Sequence, residues 1–191
     1  HFCPEWGLSN VRLRFSSKPV PSQFRRIVFL NNADSPGALG YHSDDDSTAP
    51  IGKVFVETIQ KYNESVSVTF SHEVLEMVAD PFANFWAQKG NTLVAIEVCD
   101  PVEANTYMIG DVEVSNFVTP DYFDATPQTD RGTYDWQGKL TQPFSMTPGG
   151  YLIKMVAGKV SSVYGKRYPA WKKKMKKAGK SRSARRGAFK S

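Results

Sequence analysis

An α+β fold, strand-rich and built around one helix, is predicted by three features of the sequence. Short apolar and β-branched runs recur between clusters of Gly, Pro, Asn and Asp, the pattern of strands separated by turns. One stretch, "SHEVLEMVADP", offers a helix N-cap at Ser71 and a stop at Pro81. The composition, 40% hydrophobic and 13% aromatic over 191 residues, suffices for a packed core.

Residues 1–26 hold three prolines and only weak alternation, so they read as an extended N-terminal arm with at most one strand. The α+β domain is expected over 27–165. It opens with the strand "RRIVFLNNAD", which runs into turn residues. "ALGYHSDDDSTAPIG" follows as a loop and "KVFVETI" as a second strand. "ESVSVTF" alternates strictly and predicts a strand running into Ser71, with the helix over 72–80. "FANFWAQKG" reads as helix exit and turn. "NTLVAIEVC" reads as a buried strand, and "DVEVSNFV" as another after the turn at "IGD". The stretch from Thr119 to Gly150 is rich in Pro, Gly and Asp yet carries many aromatics, so a long folded loop is expected rather than disorder. "YLIKMVAG" and "KVSSVYG" predict a closing hairpin.

The net charge of +5 conceals an asymmetry. Residues 166–191 contain 12 of the 24 Lys and Arg residues and no acid, whereas residues 1–165 carry 12 basic and 19 acidic side chains, a net of −7. An acidic body therefore precedes a basic tail of +12, which bears on partners rather than on fold. No apolar run approaches the ~20 residues of a membrane span, and no signal-peptide pattern is present. The first residue is His1 rather than Met, so the start of translation is expected upstream. Cys3 and Cys99 lack zinc-finger spacing; two buried free thiols are expected, with a single bridge as the alternative.

At about 100° per residue, His72, Glu73, Glu76 and Asp80 share one arc of the helix, and apolar residues cover the rest. Glu73 and Glu76 are i,i+3 and Glu76 and Asp80 are i,i+4, spacings at which like charges repel. No Lys or Arg lies between Lys61 and Lys89 to offset them. Either the stripe faces water, or an arginine, protons or a metal ion arrives from elsewhere.

"HEVLE" resembles the HExxH helix of zinc metallopeptidases, the zincins, in which two ligands one turn apart hold the metal and the intervening Glu activates water. By that resemblance His72 is the first metal ligand and Glu73 the catalytic base, while Glu76 stands where the second His belongs. A carboxylate there makes the site harder and lowers its net charge. In the gluzincin branch the third ligand is a Glu further along, closely followed by an orienting Asp. Glu97 and Asp100, in "EVCDPVE", match that order, with Glu97 lying 21 residues beyond Glu76. Those relatives present the Glu on a helix, whereas this segment reads as a strand. The resemblance thus implies a zincin-like core with zinc or another divalent metal at His72, Glu76 and Glu97, and Asp80 and Asp100 as orienting or alternative ligands. A plain acidic turn is the other reading of "EVCDPVE".

The pieces "GALGYHS", "SHEVLEMVADP", "EVCD", "SNFVTPDYF" and "TPGGY" are together similar to a set of phage and bacterial proteins. They are faintly similar to plant EXORDIUM-like secreted proteins. His42 is open to a ligand or substrate-binding role, but a loop histidine with neither role is the favoured reading; Asp44–Asp46 lack the Gly and distal Glu of a calcium loop and read as a solvated acidic loop. Tyr107, Tyr122 and Tyr134 are candidate oxyanion donors.

In the tail, Lys172, Lys173, Lys174, Lys176, Lys177, Lys180, Arg182, Arg185 and Arg186 are interspersed with Trp171, Met175 and Phe189. They suit phosphate contacts of nucleic acid, or acidic protein surfaces, including other subunits. Two functions follow from different classes. One is a zincin-like metal-dependent hydrolase, a peptidase by resemblance. The other is a structural component of an oligomer or larger assembly such as a phage particle, hence virion-associated, with a zincin-like scaffold and the tail for contacts. A nuclease is a weaker third, since no Lys or His base is expected near the acids.

Overall fold

Among the described residues the strand pattern resolves into three sheets. The computed structural model describes residues 1–21, 23–34, 38–43, 50–127 and 132–178. β1 (Arg26–Leu30), β2 (Gly40–Ser43) and β3 (Ile51–Phe55) form a sheet of order β1-β3-β2. β1 runs parallel to β3, with Arg26 opposite Ile51, and β2 is antiparallel to β3, with His42 opposite Gly52. Two helices follow, α1 having already formed at Phe2–Glu5: α2 (Val56–Lys61) and α3 (Val66–Ala79). β4 (Trp86–Lys89) and β5 (Thr92–Ala95) then join the closing hairpin, β8 (Tyr151–Val156) and β9 (Lys159–Tyr164), in an antiparallel sheet of order β4-β5-β8-β9. The hairpin of β6 (Thr106–Ile109) and β7 (Val112–Ser115) stands as its own two-stranded sheet. α4 (Ala170–Ala178) is the fourth helix among the described residues. The fold is mixed α+β, and no described helix is long and apolar enough to cross a membrane.

The largest departure from expectation is "ESVSVTF", which forms the first turns of α3 rather than a strand. Ser65, not Ser71, is the N-cap, its side chain accepting from Val68 N. The same residues that alternate also place Ser67 and Ser71 one turn apart, facing the β6–β7 hairpin. The Ser67 hydroxyl donates to Glu113 O at 2.7 Å, and Ser71 Oγ accepts from Ser115 N at 2.9 Å. Tertiary hydrogen bonding and packing thus override β propensity.

Smaller corrections accompany it. "KVFVETI" leaves the sheet at Phe55 and continues as α2, while "FANFWAQKG" supplies β4. The "ALGYHS" loop contains β2, and the strand in "NTLVAIEVC" ends at Ala95, before Glu97. The N-terminal segment begins with a helical turn whose Phe2 enters the core, and Trp6 Nε1 donates to Val118 O at 2.9 Å. Residues 8–21 and 23–25 carry no regular element.

The main core joins Val94, Val98, Val102, Phe117, Val118, Tyr122, Leu140, Phe144 and Leu152. Tyr122, Leu140 and Phe144 come from the loop region predicted over 119–150, whose described residues are folded as its aromatics suggested. Cys3 and Cys99 are free thiols, Cys99 fully buried in this core.

Candidate metal centre

α3 brings His72 and Glu76 one turn apart on a buried face, with His72 Nε2 at 3.0 Å from Glu76 Oε1. The helix ends at Asp80, whose carboxylate accepts from Asn84 N at 3.1 Å and Phe85 N at 2.8 Å. Asp80 therefore spends its side chain on capping the turn that follows. Arg25 reaches the same end of the helix, where its guanidinium donates to Met77 O at 3.2 Å.

After β5 the chain curls into a 3₁₀ turn, Asp100–Val102. This turn carries Asp100 Oδ1 to 3.2 Å from His72 Nε2. Glu76, Glu97 and Asp100 each offer an oxygen within 4.8 Å of the others. Asp100 thus joins Glu76 in direct contact with His72, and Glu97 lies within reach of both acids. Because the strand stops at Ala95, Glu97 lies in the loop leading to the turn.

The "TPGGY" segment holds this turn in place. Thr147 donates to Pro101 O from its backbone N at 2.9 Å and from its hydroxyl at 3.3 Å. Gly150 packs so closely that a Cβ there would lie 2.1 Å from Pro101 O. Only glycine tolerates such backbone contact.

His42 belongs to the same cluster, contrary to its reading as a loop histidine outside the site. It is 1% exposed, its Nδ1 lies 3.4 Å from Glu73 Oε2 and 3.9 Å from Glu76 Oε2, and its Nε2 lies 3.0 Å from Asp80 O. Gly40 makes this possible, since a Cβ there would meet Thr69 Cγ2 at 2.9 Å and Glu73 Cγ at 3.1 Å. β2 can therefore cross α3 at close range. The signal available in the sequence was "GALGYHS", in which a glycine sits two residues before the only histidine upstream of the helix besides His1.

Among the described residues, three groupings of donors, His72–Glu76–Cys99, His42–Glu73–Glu76 and Glu76–Glu97–Asp100, could hold a metal ion, and Glu76 is common to all. Burial alone would lower the His72 pKa, but the Glu76 and Asp100 carboxylates outweigh it and hold the imidazole well above its usual range. Burial, reinforced by Glu76, pushes the Cys99 thiol well up, so it stays protonated. Cys99 Sγ lies 3.9 Å from His72 O, and its N donates to Glu76 Oε1 at 3.4 Å. Glu73, Glu76, Glu97 and Asp100 are each at most 2% exposed. Burying four carboxylates together is costly unless cations compensate, and this mix of carboxylates and imidazoles fits a divalent ion.

Of the tyrosines proposed as oxyanion donors, Tyr122 gives its hydroxyl to Ser145 O at 2.6 Å, and Tyr134 belongs to the main core. Tyr107 is in β6, beside the His1 ring at 5.8 Å.

The start of the basic tail docks on the body. Trp171 of α4 stacks on Tyr62 with ring centroids 4.4 Å apart, and Lys172 Nζ bridges Glu64 at 3.3 Å and Glu103 at 3.4 Å. Lys173 and Lys174 are exposed, and Lys176 and Lys177 continue the helix. Lys180, Arg182, Arg185 and Arg186 lie outside the described residues, as does the Asp44–Asp46 loop. No protein-family model, curated protein or solved structure matches the chain.

Proposed function

We propose that this chain is a zincin-like, divalent-metal-dependent hydrolase, a peptidase by its resemblance, with the ion held by His72, Glu76 and Asp100 and with Glu97 completing the set. The observation that carries this reading is the meeting of the His72–Glu76 helix face with Asp100, delivered from a separate segment at 3.2 Å. A bound divalent ion supplies Lewis acidity at such a site. Glu73, one residue after His72, serves as the base that takes a proton from water, with His42 Nδ1 3.4 Å from its carboxylate. With one histidine among mostly carboxylate ligands, the set accommodates zinc and harder ions such as manganese. The exposed lysines of α4 and the basic residues after it provide contacts for nucleic acid or another polyanion.

A second reading, a structural metal site in a protein of a larger assembly such as a phage particle, is favoured by burial. His72, at 9% exposed, is the most accessible residue of the His72–Glu76–Glu97–Asp100 set, and a hydrolase must admit its substrate. Glu73→Gln separates the two readings. For a hydrolase, the variant keeps the ion held by His72, Glu76 and Asp100, at least one equivalent by mass spectrometry, but loses cleavage of a peptide library by at least ~100-fold. A wild-type protein that holds metal, cleaves nothing and loses melting temperature on chelation supports the structural role.

A further inference from the structure

We propose that His42 Nδ1, Glu73 and Glu76 Oε2 form a second divalent-cation position, adjacent to that of His72, Asp100 and Glu97 and joined to it through the Glu76 carboxylate. The proposal rests on the metal-binding part of the function above and goes beyond it in stoichiometry and in the role of His42.

Glu76 faces two ways. Its Oε1 lies 3.0 Å from His72 Nε2, whereas its Oε2 lies 3.9 Å from His42 Nδ1 on the other side. A carboxylate shared in this way holds two ions about 3.5–4 Å apart, the spacing of two-metal hydrolytic sites.

His42 is set as metal-binding histidines are set. Its Nε2, at 3.0 Å from the Asp80 carbonyl, must carry hydrogen to make that bond, and this directs Nδ1 at Glu73 and Glu76. A backbone carbonyl fixing one ring nitrogen while the other addresses the ion is the usual support of a ligating imidazole. The spacing agrees. Two donors about 2.1 Å from a tetrahedral ion stand about 3.4 Å apart, and His42 Nδ1 lies 3.4 Å from Glu73 Oε2. A proton shared directly between imidazole and carboxylate draws them to about 2.7–2.9 Å. The donor atoms of His42, Glu73 and Glu76 lie within 4.8 Å of one another, and all three residues are buried.

Charge points the same way. Glu73, Glu76, Glu97 and Asp100 sum to −4 when ionised, and one divalent ion supplies +2. A second, with both imidazoles neutral, brings the cluster to zero. Occupation of the second position makes Glu73 a ligand and withdraws it from its role as base, so excess metal inhibits hydrolysis.

The test uses the full chain, stripped with chelator and titrated with Mn²⁺ and then with Zn²⁺, read by metal content after desalting and by low-temperature paramagnetic resonance. About two equivalents bind to the wild type, and the manganese spectrum is that of an exchange-coupled pair. His42→Asn, with its fold checked by near-ultraviolet circular dichroism, retains about one equivalent with the spectrum of an isolated ion. One equivalent in the wild type, or two retained in His42→Asn, overturns the second position and leaves the first standing. No bound metal in the wild type removes both. Where His42→Asn fails to fold, wild-type stoichiometry and coupling decide the matter alone.

Discussion

Gly150→Ala perturbs the candidate centre without touching a ligand, and its effect can be worked out from the geometry. A Cβ at residue 150 would stand 2.1 Å from Pro101 O, 2.6 Å from Pro101 C and 3.1 Å from Asp100 O. A relaxed carbon–oxygen contact is about 3.3 Å, so the two backbones must separate by roughly 1.2 Å. Every obstacle is main chain, and no side chain can swing aside. The separation strains the bonds from Thr147 N to Pro101 O at 2.9 Å and from Gly165 N to Gly150 O at 2.8 Å. Overpacking costs about 1–3 kcal/mol and each strained hydrogen bond about 1 kcal/mol, for a total of about 3–5 kcal/mol. At about 2–4 °C per kcal/mol for a chain of this size, the melting temperature falls by roughly 6–20 °C. The same shift draws Asp100 away from His72, so metal affinity falls about 10–100-fold, as when an orienting partner is lost. Calorimetry and a metal titration read the two effects. Gly158→Ala is the control: its φ of +74° makes Ala unfavourable, yet nothing lies within 4 Å of the added carbon. It costs about 1–2 kcal/mol and leaves metal affinity unchanged. A Gly150→Ala protein that melts and binds metal like the wild type refutes the idea that this close approach positions Asp100.

Metal-stripped protein loses stability as pH rises through the His72 titration. The folded pKa of His72 lies above the unfolded value near 6.5, so its contribution is complete below about 6.5 and disappears as pH rises through the folded value. His72→Gln flattens that part of a melting-temperature-versus-pH curve, and metal affinity rises over the same interval as the ion displaces the proton. Ser71→Ala strands the Ser115 amide that now donates to Ser71 Oγ at 2.9 Å, so urea unfolding should register a loss of about 1–3 kcal/mol. Trp171→Ala removes the stack on Tyr62, worth about 0.5–1.5 kcal/mol beyond area burial. Hydrogen exchange in residues 170–178 then accelerates while metal content is unchanged; unaltered protection would show that α4 is held by other contacts.

The sequence by itself determined the features that depend on composition and short-range pattern. The closing hairpin, the β1 strand and the folded character of the 119–150 region were legible, because turn residues and β-branched runs act locally. So was the chemistry of α3, where His72, Glu73 and Glu76 fall on one arc whatever the helix packs against. Tertiary structure alone decided the rest. "ESVSVTF" alternates like a strand, but Ser67 and Ser71 find partners on the β6–β7 hairpin only if the segment is helical. His42 enters the cluster because Gly40 lets β2 cross α3, a contact between segments about thirty residues apart that no local window contains. Asp100 reaches His72 because "TPGGY", some fifty residues later, clamps the Pro101 carbonyl. Residue types can announce a helix with candidate metal ligands, but the remaining donors are chosen by which backbones approach closely, and that is a property of the packed chain.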